Sequence, residues 1–408
     1  MPVTSLRDYL LVTFSYWGFT LTDGALRMLV LLHFHTLGYS PLQIALLFLF
    51  YEFFGIVTNL LGGWLGASMG LRVTLFSGLS IQIIALLMLG LLDPQWPVAY
   101  AVTYVMIAQA LSGIAKDLTK MSSKSALKFV VARDARQTLY KWVALLTGSK
   151  NALKGAGFFL GGVLLATLGF ADSLFAMATA LLVILLSSVV LLPADMGKAK
   201  QKKKWQHLFS KSPLINTLSA ARLFLFASRD VWFVVGLPLF LASQLNWSHT
   251  EVGSFMASWI IGYGVVQSMV PHFIHRHTPN GRSAFYWVSV LGLVPIIIIS
   301  ALYFEIAIKT SLIIGLIIFA VIFAINSAIH SFLILNYSDH DNVSMDVGFY
   351  YMANAAGRLA GTVLSGYLYQ QSGLIGCLWT SVIFIVTSSL FTRVLPGRER
   401  GIKSPAQT

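Results

Sequence analysis

The chain has 408 residues, 57% of them hydrophobic and only 11% charged, with 28 Lys and Arg against 15 Asp and Glu. A soluble domain is about a quarter charged, so this composition excludes one. Apolar runs of about 20 residues recur along the chain, the length a helix needs to cross a bilayer, and no alternating strand pattern marks a β-barrel.

In chain order, the apolar pattern predicts spans at 9–36, 41–66, 71–92, 97–120, 138–168, 171–192, 214–242, 249–272, 284–304, 311–336, 345–370 and 374–394. The first run is too long for a signal peptide and lacks a small-residue cleavage site, so it is expected to stay as a helix. Cys377 is the lone cysteine, which excludes an intrachain disulfide. The longest polar interruption, 193–213, is rich in lysine and reads as a solvated linker between a first half, 1–192, and a second half, 214–408. Basic residues gather on one set of loops: Arg72, Lys128, Arg133, Arg136, the linker lysines, Arg276, Arg282 and the tail. The other set holds little beyond Lys309, so both termini are expected in the cytoplasm. The net charge of +13 is then a topology signal, and no nucleic-acid partner is implied.

A weak internal repeat joins the halves. LGYSPLQIALLF at 37–48 corresponds to LNWSHTEVGSFM at 245–256, and Lys154, Gly157 and Gly162 recur 204 residues later as Arg358, Gly361 and Gly366. Parallel six-helix repeats are the architecture of major facilitator transporters. GGWLGASMGLR at 62–72 resembles that superfamily's loop motif at Gly63, Leu65, Gly70 and Arg72, although Ala67 stands where the motif has aspartate. The expected fold is therefore all-α: twelve transmembrane helices in two pseudo-symmetric six-helix bundles.

Ionisable residues inside spans are costly and mark pathways or partners. The predicted helices carry Asp23 and Arg27; Glu52; Lys116, Asp117 and Lys120; Lys150 and Lys154; Arg222, Arg229 and Asp230; and Arg358. Around the midplane Arg27, Lys150, Lys154, Arg229 and Arg358 outnumber Asp23, Glu52 and Asp230, and a surplus of buried cations needs water or an anionic ligand. Lys150 and Lys154 share a helix face, as do Lys116 and Lys120. Arg222 is read with Lys116 and Lys120 as an electropositive entrance. Arg27 and Arg229, from the first helix of each half, offer two guanidinium forks suited to an oxyanion.

Structural readings stand beside these. Asp23 and Arg27 have the spacing of an intrahelical pair. Arg229 and Asp230 diverge around their helix, so each is expected to find a partner elsewhere. Lys116, Asp117 and Lys120 have the position of a snorkelling anchor. Glu52 reads either as a proton carrier or as a cation's partner, and Asp23, Asp230 and Asp117 share that ambiguity. Asn151, Asn326, His330 and Asn354 have the depth for ligand or interhelical hydrogen bonds. The glycines around Lys154 and Arg358 read mainly as packing surface. HFIHRH at 272–277 gathers His272, His275 and His277 without a carboxylate or cysteine, so no metal site is expected. HExxH, Walker A and GxSxG sequences are absent, which points to gradient-driven transport or exchange rather than an enzyme or ATP-driven pump.

The blocks TLTDGALRMLVLLHFHTLGYSP, FLFYEFFGIVTNLLGGWLG, SGIAKDLTKMSSKSALK, TGSKNALKG and SAARLFLFASRDVWFVVGLP together resemble the ArsJ family of organoarsenical efflux permeases. The resemblance spans essentially all twelve predicted helices. It implies a monomeric permease in a bacterial cytoplasmic membrane that exports 1-arseno-3-phosphoglycerate and confers arsenate resistance. It also implies a functional partner, a glyceraldehyde-3-phosphate dehydrogenase that makes the substrate, and no cofactor. On charge placement, Arg27 and Arg229 are expected at one pole of such a substrate, and Lys150 and Lys154 with Arg358 at the other. An organophosphate–phosphate exchanger of the same fold is the alternative.

Overall fold

The computed structural model describes residues 3–69, 71–93, 95–130, 136–193, 212–273, 279–338 and 343–397. The lysine-rich linker at 194–211, the basic tail from 398, and His275 and His277 lie outside them, as does Gly70 of the loop motif. Among the described residues there are thirteen helices and no strand. They are α1 (Val3–Thr36), α2 (Pro41–Leu47), α3 (Leu49–Met69), α4 (Leu71–Gly90), α5 (Val98–Val130), α6 (Arg136–Thr167), α7 (Phe170–Leu191), α8 (Pro213–Phe233), α9 (Gly236–Ser243), α10 (His249–Phe273), α11 (Gly281–Tyr303), α12 (Ile308–Tyr337) and α13 (Val343–Arg393).

Eight of these helical stretches are long and apolar enough to cross a membrane. One of them, α13, reverses at Gly373, whose φ of 61° lies in the left-handed region, so it contributes two arms. α1, α6 and α10 are as long and lie in the same bundle, but charged or polar residues lower their hydropathy. Helix ends agree with the predicted spans within a few residues, except that α1 begins six residues earlier, at Val3, and α5 continues to Val130. Bulky apolar side chains such as Val183, Val190, Ile297 and Ile383 cover the outside, as a lipid-facing surface requires. The protein is a multi-pass membrane protein.

Two predicted spans are broken. The second divides at Phe48 into α2 and α3, behind a start fixed by Ser40 and Gln43 in a reciprocal capping box. The seventh divides at Val234–Val235 into α8 and α9. Pro238 explains the second break, since it has no N–H for the Val234 carbonyl and its ring crowds that turn. The N–H groups of Val235 and Gly236, freed by the break, donate to one acceptor, the buried Ser365 hydroxyl of α13, at 3.2 and 3.0 Å. Ser365→Ala is therefore expected to lower stability by about 1–3 kcal/mol, the cost of unsatisfied buried donors. Thermal unfolding in detergent checks this, and an unchanged midpoint contradicts it.

α1, α2, α3 and α4 to α7 pack on one another, as do α8 to α13. The two groups meet chiefly where α6 crosses α10 and where α2 and α3 cross α13. The repeated glycines sit at these crossings. A Cβ on Gly157 would strike the Leu21 carbonyl of α1, and one on Gly361 would strike Asp230 of α8. Gly162 lies against the His249 backbone of α10 and Gly366 against that of Pro41 in α2. Each member of the repeat thus packs first on its own group's leading helix, then on the other group. That equivalence sets Lys154 and Arg358 one turn away, at the centre of the bundle.

Candidate central ion-pair site

The ionisable side chains converge where α1, α3, α6, α8 and α13 pass one another. Glu52 is buried on α3, and its Oε1 accepts from Arg27 Nη2 of α1 at 2.6 Å and from Arg358 Nη2 of α13 at 2.7 Å. Arg358 also donates through Nε to Asp230 Oδ2 at 3.3 Å, and Asp230 Oδ1 takes Arg229 Nη2 at 2.5 Å. Arg27, Arg358 and Arg229 thus share two carboxylates in a chain that ties the first helices to the last. Glu52 Oε2, also buried, has no hydrogen-bond partner among the described residues.

Beside this chain, Tyr51 donates its hydroxyl to both oxygens of Asp23, at 2.7 and 3.0 Å. Its ring lies 5.1 Å from the Arg27 guanidinium and 4.0 Å from Lys116 Nζ. Lys154 reaches the same neighbourhood, within electrostatic range of Arg27, Arg358, Asp23 and Glu52. Its ammonium lies 5.8 Å from the Phe158 ring, and no described carboxylate is within ion-pair distance of it. Three guanidinium groups on two carboxylates leave one positive charge, and Lys116 and Lys154 against Asp23 leave another.

Two turns along α3, Asp117 and Lys120 of α5 pair at 3.0 Å; Lys120 also donates to Asn59 Oδ1, and Thr58 donates to Asp117. This group is neutral. Lys120 lies 5.6 Å from the Tyr351 ring of α13, and Asn151 Nδ2 of α6 meets Gln267 Oε1 of α10 at 3.4 Å. Contacts between the two helix groups therefore flank the site, these on one side and those of Gly162 and Gly366 on the other.

Several sequence expectations change. Asp23 and Arg27 are not an intrahelical pair: Arg27 takes Glu52 and Asp23 takes Tyr51. Arg229 and Asp230 do pair with each other, because the long guanidinium stem wraps back round the helix to its neighbour. Arg358 belongs with Arg27 and Arg229 rather than forming a separate cluster with Lys150 and Lys154. Lys150 lies half-buried a turn before Lys154 on α6 and has contacts of its own. Arg222 is not at an entrance: it is 4% exposed inside the later helices and donates to Asn354 Oδ1 at 3.0 Å. The sequence reading missed Tyr51, although its position next to Glu52 and three residues after Phe48 was a usable signal. Among the described residues no group of His, Cys, Asp and Glu could hold a metal.

A Major Facilitator Superfamily model matches residues 218–408. No curated protein sequence matches the chain. Among solved structures, it is similar to a bacterial homologue of the iron transporter ferroportin in its inward-facing state, with a TM-score of 0.68 at 16% identity, over 95% of this chain and 98% of that one. The outward-facing state gives a TM-score of 0.67 at 16% identity over the same shares of the two chains. The outward-facing state with soaked iron gives 0.64 at 13% identity, over 94% and 98%. Residues 218–408 thus match the Major Facilitator Superfamily model, and the chain as a whole has the all-helical fold of these solved structures.

Proposed function

We propose that the chain exports a small, multiply charged organic anion by alternating access, and that the anion is the arsenylated phosphoglycerate implied by the ArsJ resemblance. The observation that carries this reading is the cation surplus at the crossing of both helix groups, with Lys154 lacking a carboxylate partner among the described residues. A free divalent cation would need the opposite sign of charge. Iron is named for the structurally similar proteins, and that cargo does not fit this set of side chains.

The cargo's oxyanions would bind Lys154 and Lys116 first, then compete with Glu52 for Arg27 and Arg358. Each arginine that turns to the cargo weakens the Glu52 bridge between the helix groups. Binding and release of that bridge then depend on each other, as a transporter's change of state requires. Protonation of Glu52 would release the same two arginines, which makes Glu52 the first candidate for proton coupling, ahead of Asp23 and Asp230. We place both termini in the cytoplasm, the halves at 1–192 and 214–408, and the working unit as a monomer in the bacterial cytoplasmic membrane.

Arg27 and Arg229, at the two ends of the ion-pair chain, also favour an organophosphate–phosphate exchanger. Resistance separates the two readings. Cells lacking other arsenic exporters should survive arsenate when this chain is made together with an arsenate-using glyceraldehyde-3-phosphate dehydrogenase, and not with either alone. Survival equal to that of empty cells contradicts the organoarsenical reading.

A further inference from the structure

Arg222 presents a separate problem. It is 4% exposed within the later helices, on α8 two turns before Arg229, and no described carboxylate is within ion-pair distance of it. Its Nε donates to Asn354 and its Nη1 to the Ser327 carbonyl at 3.3 Å. A guanidinium has five N–H groups, so donors remain without a described acceptor. The rings of Phe226 and Tyr350, 4.0 and 5.2 Å away, offset part of the burial by cation–π attraction. They supply no counter-charge. A lone cation in such a place is strongly disfavoured.

The neighbouring side chains carry the same mismatch. His330 of α12 is 0% exposed, and neither ring nitrogen has a hydrogen-bond partner among the described residues. It lies within electrostatic range of Arg222, as does the buried Tyr350 hydroxyl, whose neighbour on α12 is Ser331. Asn326, one turn earlier on α12 and also fully buried, leaves its carbonyl oxygen without a donor while its NH2 meets the Ile322 carbonyl. Buried polar groups without described partners thus gather near a cation with no described anion.

We infer that Arg222, His330 and Tyr350 form a second anion site, enclosed in the later helices and suited to a single small inorganic anion such as chloride. All three are buried, and Arg222 lies two turns along α8 from Arg229, so the site is separate from the central one. The anion would neutralise Arg222, accept from His330 and Tyr350, and hold α8, α12 and α13 together.

The test is thermal unfolding of the purified full chain in detergent, with chloride, phosphate or gluconate at fixed pH and ionic strength. The midpoint should rise saturably with chloride and not with gluconate or phosphate, following the mass-action stabilisation of a single site. Arg222→Gln should abolish the rise. His330→Leu, which keeps the volume and leaves the cation, should raise the half-saturating chloride concentration about tenfold, the cost of one donor to a charged acceptor. A rise no greater than in gluconate, or an equal rise in both variants, overturns the site. A rise with phosphate alone overturns its size assignment.

Discussion

Glu52→Gln is expected to lower the thermal midpoint of the purified protein by many degrees and to reduce export to background. Removing one partner of a buried ion pair typically costs about 3–5 kcal/mol, because the other partner keeps its desolvation penalty. Here a single carboxylate oxygen serves two arginines from different helix groups, Arg27 at 2.6 Å and Arg358 at 2.7 Å. The amide leaves both guanidinium groups without that charge, and their mutual repulsion then acts across the crossing of α3 with α13. The double variant Glu52→Gln with Arg358→Gln should recover much of the lost stability, because it removes the repulsion along with the bond, and a double-mutant cycle measures that coupling. Export should not recover. A midpoint within a degree of wild type in the single variant would show that the bridge does not hold the two groups together.

Lys154→Ala should behave in the opposite way. Its ammonium is the deep cation on α6 with no described carboxylate in ion-pair range, so its removal relieves a desolvation cost and breaks no pair. Stability should hold or rise, while export falls at least tenfold and the protein reaches the membrane in normal amount. Lys154→Arg keeps the charge and should keep part of the activity. Arg358→Ala is the contrasting case: it holds Glu52 and Asp230, so stability and export should fall together. Lys150→Ala is expected to lose export as well. If Lys154→Ala lowers the midpoint and leaves export intact, the lysine is a structural anchor and the cargo binds elsewhere.

The contrast between these lysines and arginines shows which parts of the site were legible in the sequence. Long apolar runs located the helices, because only an internally bonded helix of that length satisfies its backbone in a bilayer. A fixed spacing of 204 residues linked Lys154, Gly157 and Gly162 to Arg358, Gly361 and Gly366, and in the structure the paired glycines occupy equivalent crossings. The list of charged residues was also readable; their pairing was not. Whether Arg27 meets Asp23 or Glu52 depends on how closely α1 approaches α3, and no periodicity within either helix encodes that distance. Arg229 and Asp230 misled for a local reason: helical geometry separates neighbouring Cβ atoms, yet the arginine stem is long enough to return. Arg222 misled because depth along a helix does not reveal which face is enclosed. The break before α9 was readable from Gly236 and Pro238; the one at Phe48 has no such marker.

The anionic cargo and the outward direction of transport are tested most directly in inside-out membrane vesicles. A purified arsenate-using glyceraldehyde-3-phosphate dehydrogenase outside the vesicles would generate the arsenylated phosphoglycerate continuously, and arsenic inside them would be measured over time. A pH gradient and internal phosphate would be imposed separately. The expected result is concentrative arsenic uptake driven by one of these two conditions in wild-type vesicles and absent in Lys154→Ala vesicles. Uptake no greater than in vesicles lacking the protein, under both conditions, would contradict the proposal that this chain exports that anion.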